Sequence, residues 1–318
     1  MASEKEIRDR IKSISDTMKI TRAMYMISSI KMQKARRNLK NSEPYFYALQ
    51  KEIGKILYHF PHIDSMYFTD SPRRNADAPL AVIVMTGDKG MCGSFNMDVL
   101  KTAEKYVKDL PNYRFYVVGE VGRQYLTAKG YPVADFYYTS ASPNMHRSRL
   151  IMEEMIQAYV SGQISGITMI YTRMVNTMRM DTEIHPMIPI DPDRFIPSDV
   201  DDDERKEQGR ANPNLGQAEE EPRGQEYYSE NALYLPNPHR VLHQVIYNYI
   251  CGFVYGALVE SSASEENSRM KAMQAATDNA QDMLADLSVS FNRVRQGAIT
   301  QEITEVAAGA RAYRSEHK

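Results

Sequence analysis

Hydrophobic residues recur every three or four positions near both ends of the chain, whereas the region between follows the shorter patterns of β-strands. The N-terminal repeat runs from Ile7 to Phe60, and the C-terminal repeat runs from Met270 to Ala298. Spacing that alternates between three and four residues predicts helices wound around a partner in a left-handed coiled coil. Pro44 lies inside the first repeat, where a proline should kink the helix or restart it.

The C-terminal helix is predicted to be long, because no proline follows Pro238. As a single helix, residues 239–312 would measure roughly 110 Å at about 1.5 Å per residue, which exceeds the width of a small domain. We expect the N-terminal helix to be its antiparallel partner. The alternative is that each repeat pairs with its own copy in a parallel homodimer. The mixture of Ser, Thr, Ala and Tyr along the seam favours the first arrangement.

Strands alternate with helices in the region between the two repeats. Residues 80–85 form an unbroken apolar run that is typical of a buried parallel strand, and residues 167–175 and 178–190 resemble a hairpin of longer strands. This alternation predicts an α/β layer with crossover helices. The other predicted elements are helices at 96–110, 120–129 and 145–160 and strands at 115–118 and 133–138.

The predicted fold class is therefore α/β, with a long antiparallel two-helix coiled coil and a central Rossmann-like α/β domain. Residues 1–60 form the N-terminal shaft helix, residues 78–238 the central domain, and residues 239–318 the C-terminal shaft helix. Within the central domain, residues 191–230 are rich in Pro, Gly, Asp and Glu and are predicted to be a loop or a disordered insertion.

Charge is segregated along the chain although the net charge is only −2. Residues 1–40 hold 11 Lys and Arg against 4 Asp and Glu, a net of +7, whereas residues 199–230 hold 4 against 11, a net of −7. This asymmetry is compatible with a solvated basic helix face and an acidic loop. It is equally compatible with a basic end that faces an acidic partner.

Composition and segment lengths exclude several classes of protein. A content of 42% hydrophobic and 25% charged residues is that of a soluble globular chain. No stretch approaches the roughly 18 apolar residues of a membrane span, and the charged N-terminus does not resemble a signal peptide. We therefore expect any membrane contact to be indirect. Two cysteines, Cys92 and Cys251, are too few for a disulfide framework or a four-cysteine zinc site.

Candidate motifs for chemistry are weak, and we predict no catalytic residue, cofactor or metal. The glycine-rich loop at 86–93 follows a predicted strand, but its spacing fits neither a P-loop nor a dinucleotide loop, so we expect a tight turn. His239 and His243 have metal-ligand spacing but lack a third ligand, and a structural pair is the simpler interpretation. The basic N-terminal residues lack the interleaved aromatic residues of single-strand nucleic-acid binders, and the pI of about 6.4 also argues against nucleic acid.

Four blocks of residues, in order along the chain, resemble the gamma subunit of F-type ATP synthase. The C-terminal block, residues 299–310, has the sequence Ile-Thr-Gln-Glu-Ile-Thr-Glu-Val-Ala-Ala-Gly-Ala and closely resembles the family signature. The other three are residues 20–32, the glycine-rich loop 87–93 with Asn96, and residues 268–280. The resemblance covers nearly the whole chain apart from the acidic insertion.

The resemblance implies a central rotor stalk that couples ion flow to ATP synthesis or hydrolysis by rotation. Its implied partners are the alpha and beta subunits of the catalytic ring, the epsilon subunit and the membrane c-ring, with membrane contact only through the c-ring. The implied location is peripheral, on the cytoplasmic face of a bacterial cell membrane. The competing hypotheses are a homodimeric coiled-coil scaffold with a non-catalytic α/β domain, and a small α/β enzyme.

The resemblance also implies which residues contact the catalytic ring, with contacts inside the shaft as the alternative for each. Arg295 and Gln296 match positions that meet a loop of the beta subunit, and Thr300, Glu302 and Glu305 lie on neighbouring faces. Met24 and Arg269 match positions near the lever of the beta subunit.

The acidic insertion yields a first testable prediction. Residues 191–230 contain no cysteine, so we expect no disulfide switch there, and the insertion acts either as a solvated spacer or as a brake on rotation in one direction. If it is a brake, deletion of residues 199–226 should change the ratio of ATP hydrolysis to ATP synthesis in the assembled enzyme. An unchanged ratio would leave only the spacer.

Overall fold

The computed structural model describes residues 4–69, 75–195 and 233–316. The predicted loop at 191–230 lies outside the described residues except for its first five positions, which include a short 3₁₀ turn. The described helices are α1 (Glu4–His59), α2 (Phe95–Val107), α3 (Glu120–Ala128), α4 (Met145–Val160) and α5 (Pro238–Glu316). The described strands are β1 (Leu80–Met85), β2 (Tyr113–Val118), β3 (Val133–Tyr138), β4 (Gly166–Met174) and β5 (Met180–Ile188).

The five strands form one sheet in the order β3-β2-β1-β4-β5. β1 lies parallel to β2 and β4, with Leu80 opposite both Tyr113 and Gly166, and β5 returns antiparallel to β4. The predicted α/β layer and the predicted hairpin of longer strands are therefore confirmed. The order of the strands is new information, since local sequence patterns do not determine it.

Side chains of the central strand alternate between two cores. Val82 and Val84 point into the core under α2 and α3. Ala81, Ile83 and Met85 point into the larger core, which α4, the end of α1 and the start of α5 cover. This alternation follows from the two-residue period of a strand, and full burial on both faces explains why β1 is an unbroken apolar run.

Contacts divide the chain into two compact units. The helix-pair unit comprises Met1–Ser29 and Arg269–Lys318, and the sheet unit comprises Ile30–Ser268. α1 continues as a helix through Pro44 and does not restart there, contrary to one of the two outcomes expected from the sequence. Burial of Phe46 and Ile53, both at most 7% exposed, stabilises the helix beyond the proline.

The two long helices are antiparallel within each unit. In the helix-pair unit, Arg8 lies over the ring of Phe291 and Thr21 contacts Thr277. In the sheet unit, Lys31 pairs with Glu266. Residue numbers rise on one helix as they fall on the other, which confirms the predicted antiparallel coiled coil.

No helix among the described residues has an apolar stretch long enough to cross a bilayer.

A close contact between the two helices in the sheet unit, at Gly252 and Phe46, yields a second prediction. A Cβ on Gly252 would lie 1.9 Å from Cε1 of Phe46, so only glycine fits without moving the ring. We expect Gly252→Ala to lower the free energy of unfolding by about 1–3 kcal/mol, because overpacking outweighs the gain of about 1 kcal/mol in helix propensity. Urea unfolding followed by circular dichroism measures this loss.

Gly297 provides the matched control, because it lies in the same helix and a Cβ there would meet nothing within 4 Å. Gly297→Ala should therefore not destabilise the chain. Equal effects of the two substitutions would contradict the close approach of Phe46 to Gly252.

Candidate functional site

The seam of the helix-pair unit is narrow and partly polar. The hydroxyls of Thr21 and Thr277 lie 2.8 Å apart and are buried, and Ser28 is 1% exposed. Thr277 also donates to the carbonyl of Met273 at 2.8 Å, so its hydroxyl is satisfied within its own helix as well. Small side chains that hydrogen-bond across the seam let the two helices approach closely. Thr21, Ser28 and Thr277 thus lie in the seam where the three-four spacing predicts them.

The five predicted ring-contact residues after position 294 of α5 are all on its surface. Every described side chain from Arg295 to Gly309 is exposed, so Arg295, Gln296, Thr300, Glu302 and Glu305 are accessible. The hydroxyl of Thr300 donates to the carbonyl of Gln296 at 2.9 Å, and Glu305 accepts from the amide of Gln301 at 2.9 Å. These contacts stay within the helix and leave its surface available to a partner.

The other two predicted contact residues are less accessible. Met24 is half-buried, and Arg269 is only 8% exposed. For Arg269 the burial favours the alternative that the guanidinium serves the internal structure of the shaft.

Large apolar side chains are also exposed on both helices of this unit. On α1, Ile20, Met26 and Ile27 are each more than half exposed. Exposed apolar side chains on α5 are Met283, Val289, Ile299, Ile303 and Val306. Ile299, Ile303 and Val306 are four and three residues apart and so share one side of α5, and clustered apolar side chains of this kind mark an interaction surface.

The glycine-rich loop occupies the carboxyl end of β1, where doubly wound sheets bind phosphate. In this chain the loop carries the carboxylate of Asp88, which is hydrogen-bonded internally. Asp88 accepts the backbone N–H of Glu120 at 3.3 Å, at the first turn of α3, and the backbone N–H of Ala141 at 3.0 Å. It also accepts the hydroxyl of Thr139. Burial alone would raise the pKa of Asp88, but these hydrogen bonds outweigh it and lower the pKa.

The same loop contacts α5. We call the surface that α5 packs on, formed by Gly87, Thr172 and Thr177, the seat of α5. A Cβ on Gly87 would lie 2.8 Å from a carboxylate oxygen of Glu265, so the glycine makes room for that side chain. Asn96 accepts the N–H of Gly87 at 2.8 Å. Met91 and Gly93 have φ of 61° and 58°, which confirms a tight turn. The loop therefore joins the ends of three strands to α5.

Further polar contacts hold α5 on the ends of β4 and β5. Ser264 donates to the carbonyl of Thr172 at 3.3 Å, and Asn267 donates to the carbonyl of Thr177 at 3.0 Å. Both side chains are fully buried. Sequence analysis missed this seat. Its signal was the polar run from Glu260 to Arg269 inside a helix whose preceding turns are apolar.

The cysteines and histidines form no metal site among the described residues. Cys92 and Cys251 are buried free thiols, and Cys92 accepts from the side-chain amide of Asn96 at 3.2 Å. His243 stacks on Tyr67 with ring centroids 5.3 Å apart, which is a packing role near the start of α5.

Comparisons with known proteins agree over the whole chain. A family model described as ATP synthase matches residues 3–313. The ATP synthase gamma chain of Acetivibrio thermocellus is 35% identical over 314 residues, which cover 98% of this chain and 99% of the relative. A gamma chain described as sodium ion specific, from Acetobacterium woodii, is 30% identical over 308 residues, covering 96% and 97%.

Solved structures share the fold at lower identity. A chain of the Euglena gracilis mitochondrial ATP synthase superposes with a TM-score of 0.63 at 13% identity, covering 99% of this chain and 96% of that one. A chain of the Tetrahymena thermophila central stalk and c-ring gives a TM-score of 0.54 at 20% identity, covering 81% and 99%. With the family model matching nearly every residue, the chain belongs to the ATP synthase gamma-chain family.

Proposed function

We propose that this chain is the central rotor stalk of a bacterial F-type ATP synthase, where it couples ion flow through the c-ring to ATP synthesis or hydrolysis at the beta subunits. The observation that carries the proposal is the exposed face of α5 from Arg295 to Gly309, within a chain that matches the family over residues 3–313. The chain is a subunit of a complex. We infer that it has no catalytic residue of its own.

The proposed mechanism is mechanical coupling through an asymmetric shaft. The shaft consists of two helices, α1 and α5, whose sequences differ, so its sides are not alike. Each beta subunit around the shaft would therefore meet a different surface. A shaft can shift a conformational equilibrium only by interacting differently with the two states. Turning the shaft would therefore change which catalytic site favours which nucleotide state.

We propose that α5 contacts the catalytic ring through Arg295, Gln296, Thr300, Glu302 and Glu305. Their exposure supports this role. Met24 remains a proposed contact, whereas for Arg269 only the resemblance supports contact with the beta lever. The exposed apolar residues of both helices would contact the inside of the ring without directional hydrogen bonds.

The basic face of α1 is proposed to meet an acidic surface of the beta subunits. Five basic side chains in a ten-residue stretch are exposed there, namely Lys31, Lys34, Arg36, Arg37 and Lys40. Clustered positive charge attracts an acidic partner over a Debye length of about 8–10 Å at physiological ionic strength.

We further propose that the α/β domain, residues 78–238, contacts the epsilon subunit and the c-ring, and that residues 1–60 and 239–318 form the shaft. The chain would then be a peripheral protein on the cytoplasmic face of the membrane. A homodimeric scaffold is disfavoured, because the seam that a parallel dimer needs is already buried between α1 and α5 of one chain.

Reconstitution tests the proposal directly. We expect the purified chain to form a stoichiometric complex with alpha and beta subunits and to raise their ATPase activity, measured by native mass and by phosphate release. If the chain instead forms only homodimers and leaves the activity unchanged, the rotor proposal is wrong.

The ring contact on α5 gives a sharper prediction. Arg295→Ala should lower the ATPase activity of the reconstituted complex by about tenfold, because a charge-assisted hydrogen bond contributes about 1.5–3 kcal/mol. Arg293→Ala is the matched control, since this exposed arginine lies two residues earlier on another face of the helix. Loss of activity in both variants, or in neither, would contradict the assignment of Arg295.

A further inference from the structure

The basic face of α1 carries positive charge that the described part of the chain leaves largely unbalanced. Its five exposed side chains are Lys31, Lys34, Arg36, Arg37 and Lys40, all within the sheet unit. The sequence has no Asp or Glu between residues 31 and 42. Of the five, only Lys31 forms an ion pair among the described residues, with Glu266 at 3.4 Å. Four cations on this face therefore lack an acidic partner there.

Helix periodicity gathers these charges on the sides of α1 that do not pack on α5. Ala35 packs against Val259 and Ala263 of α5, with Leu39 beside it. The basic residues occupy the intervening positions, so they fall on the remaining circumference of the helix. Several of them are three or four residues apart, a spacing at which like charges repel one another. An acidic segment laid along this face would relieve that repulsion.

The acidic insertion carries the opposite excess of charge. Residues 199–230 hold 11 Asp and Glu against 4 Lys and Arg. Five of these acids lie within the first acidic block, residues 199–204, whose sequence is Asp-Val-Asp-Asp-Asp-Glu. A second acidic block of three consecutive glutamates follows at residues 219–221. Blocks of like charge are typical of interaction segments, and these have the sign that the basic face attracts.

The chain that precedes the insertion ends close enough for the first acidic block to reach the basic face. Phe195, the last described residue before it, packs against Tyr249 of α5 with ring centroids 5.3 Å apart. Val259 and Ala263 lie ten and fourteen residues further along α5, about 15 and 21 Å at 1.5 Å per residue. The first acidic block follows Phe195 by four to nine residues, so an extended chain places it at most roughly 13–30 Å away.

We propose that the acidic insertion docks on the basic face of α1 of its own chain, through the first acidic block. The covalent link favours this contact, because a tethered segment meets its site at a high effective concentration. The same face is the one proposed to meet an acidic surface of the beta subunits, so the insertion would compete with that surface. The competition rests on the proposed rotor function, whereas the docking is a property of the isolated chain.

Carbodiimide cross-linking of the isolated full chain tests the contact. The reagent joins a carboxylate to a lysine amine as an amide and takes up the water that is lost, so it links only groups in contact. Mass spectrometry of the monomer should find the first acidic block joined to Lys34 or Lys40, with a yield that falls as salt screens the charges. The absence of such links, or links only between two chains, would overturn the proposal.

Amine acetylation measures the same contact independently. Deletion of residues 199–226 should raise the acetylation rates of Lys34 and Lys40 by about threefold or more, because a site covered for two-thirds of the time reacts at one-third of its free rate. Lys101 and Lys105 of α2 are exposed and serve as controls whose rates should not change. Unchanged rates at Lys34 and Lys40, or an equal rise at all four lysines, would contradict the docking.

A second variant keeps the test decisive if the deletion disturbs folding. It exchanges four acids of the first block for their amides, as Asp201→Asn, Asp202→Asn, Asp203→Asn and Glu204→Gln, and keeps the length of the chain. Acetylation of Lys34 and Lys40 should rise as it does after the deletion. The matched control exchanges the three glutamates of the second acidic block for glutamine and should have a smaller effect. An equal effect of the two exchanges would refute docking through the first block, and reconstitution with alpha and beta subunits would still test the rotor function separately.

Discussion

The seat of α5 on the carboxyl ends of the strands is the contact on which the rest of the structure depends. Gly87 makes room for Glu265, and Ser264 and Asn267 hydrogen-bond to the ends of β4 and the hairpin. These contacts are directional and buried, so they fix both the position and the rotation of the helix about its own axis. Apolar packing alone would fix the position but specify rotation weakly. A shaft that transmits torque needs both.

The polar contacts of α5 also explain the role of the glycine-rich loop after β1. Doubly wound sheets that bind nucleotides use the loop after the first strand to bind phosphate. In this chain Asp88 of that loop hydrogen-bonds to the backbone of α3, and Glu265 packs against Gly87, which explains the glycine at that position. The loop therefore serves the internal attachment of α5.

Much of the fold was predictable because it follows local periodicity. The limits of β1, β3 and α4 lie within one residue of the predicted ones, and the pairing of the two long helices follows from the three-four spacing of their apolar residues. Strand order was not predictable, since it depends on packing between distant segments. The continuity of α1 through Pro44 depends on the burial of Phe46, which the local sequence does not reveal.

The candidate ring-contact residues were predictable only through resemblance, because nothing local distinguishes Arg295 from Arg293. The structure separates these residues by exposure: those from Arg295 onward are exposed, whereas Arg269 of the same helix is buried. Exposure decides which residues can meet a partner, and burial decides which hold the shaft together. The two roles separate along α5, with the seat before residue 269 and the accessible surface after residue 294.

Single-molecule observation of rotation tests the central claim most directly. A probe attached to the sheet unit of this chain, in a complex whose alpha and beta subunits are fixed to a surface, should turn in one direction when ATP is supplied and stop when it is withdrawn. Steady ATP hydrolysis with a stationary probe would contradict the account.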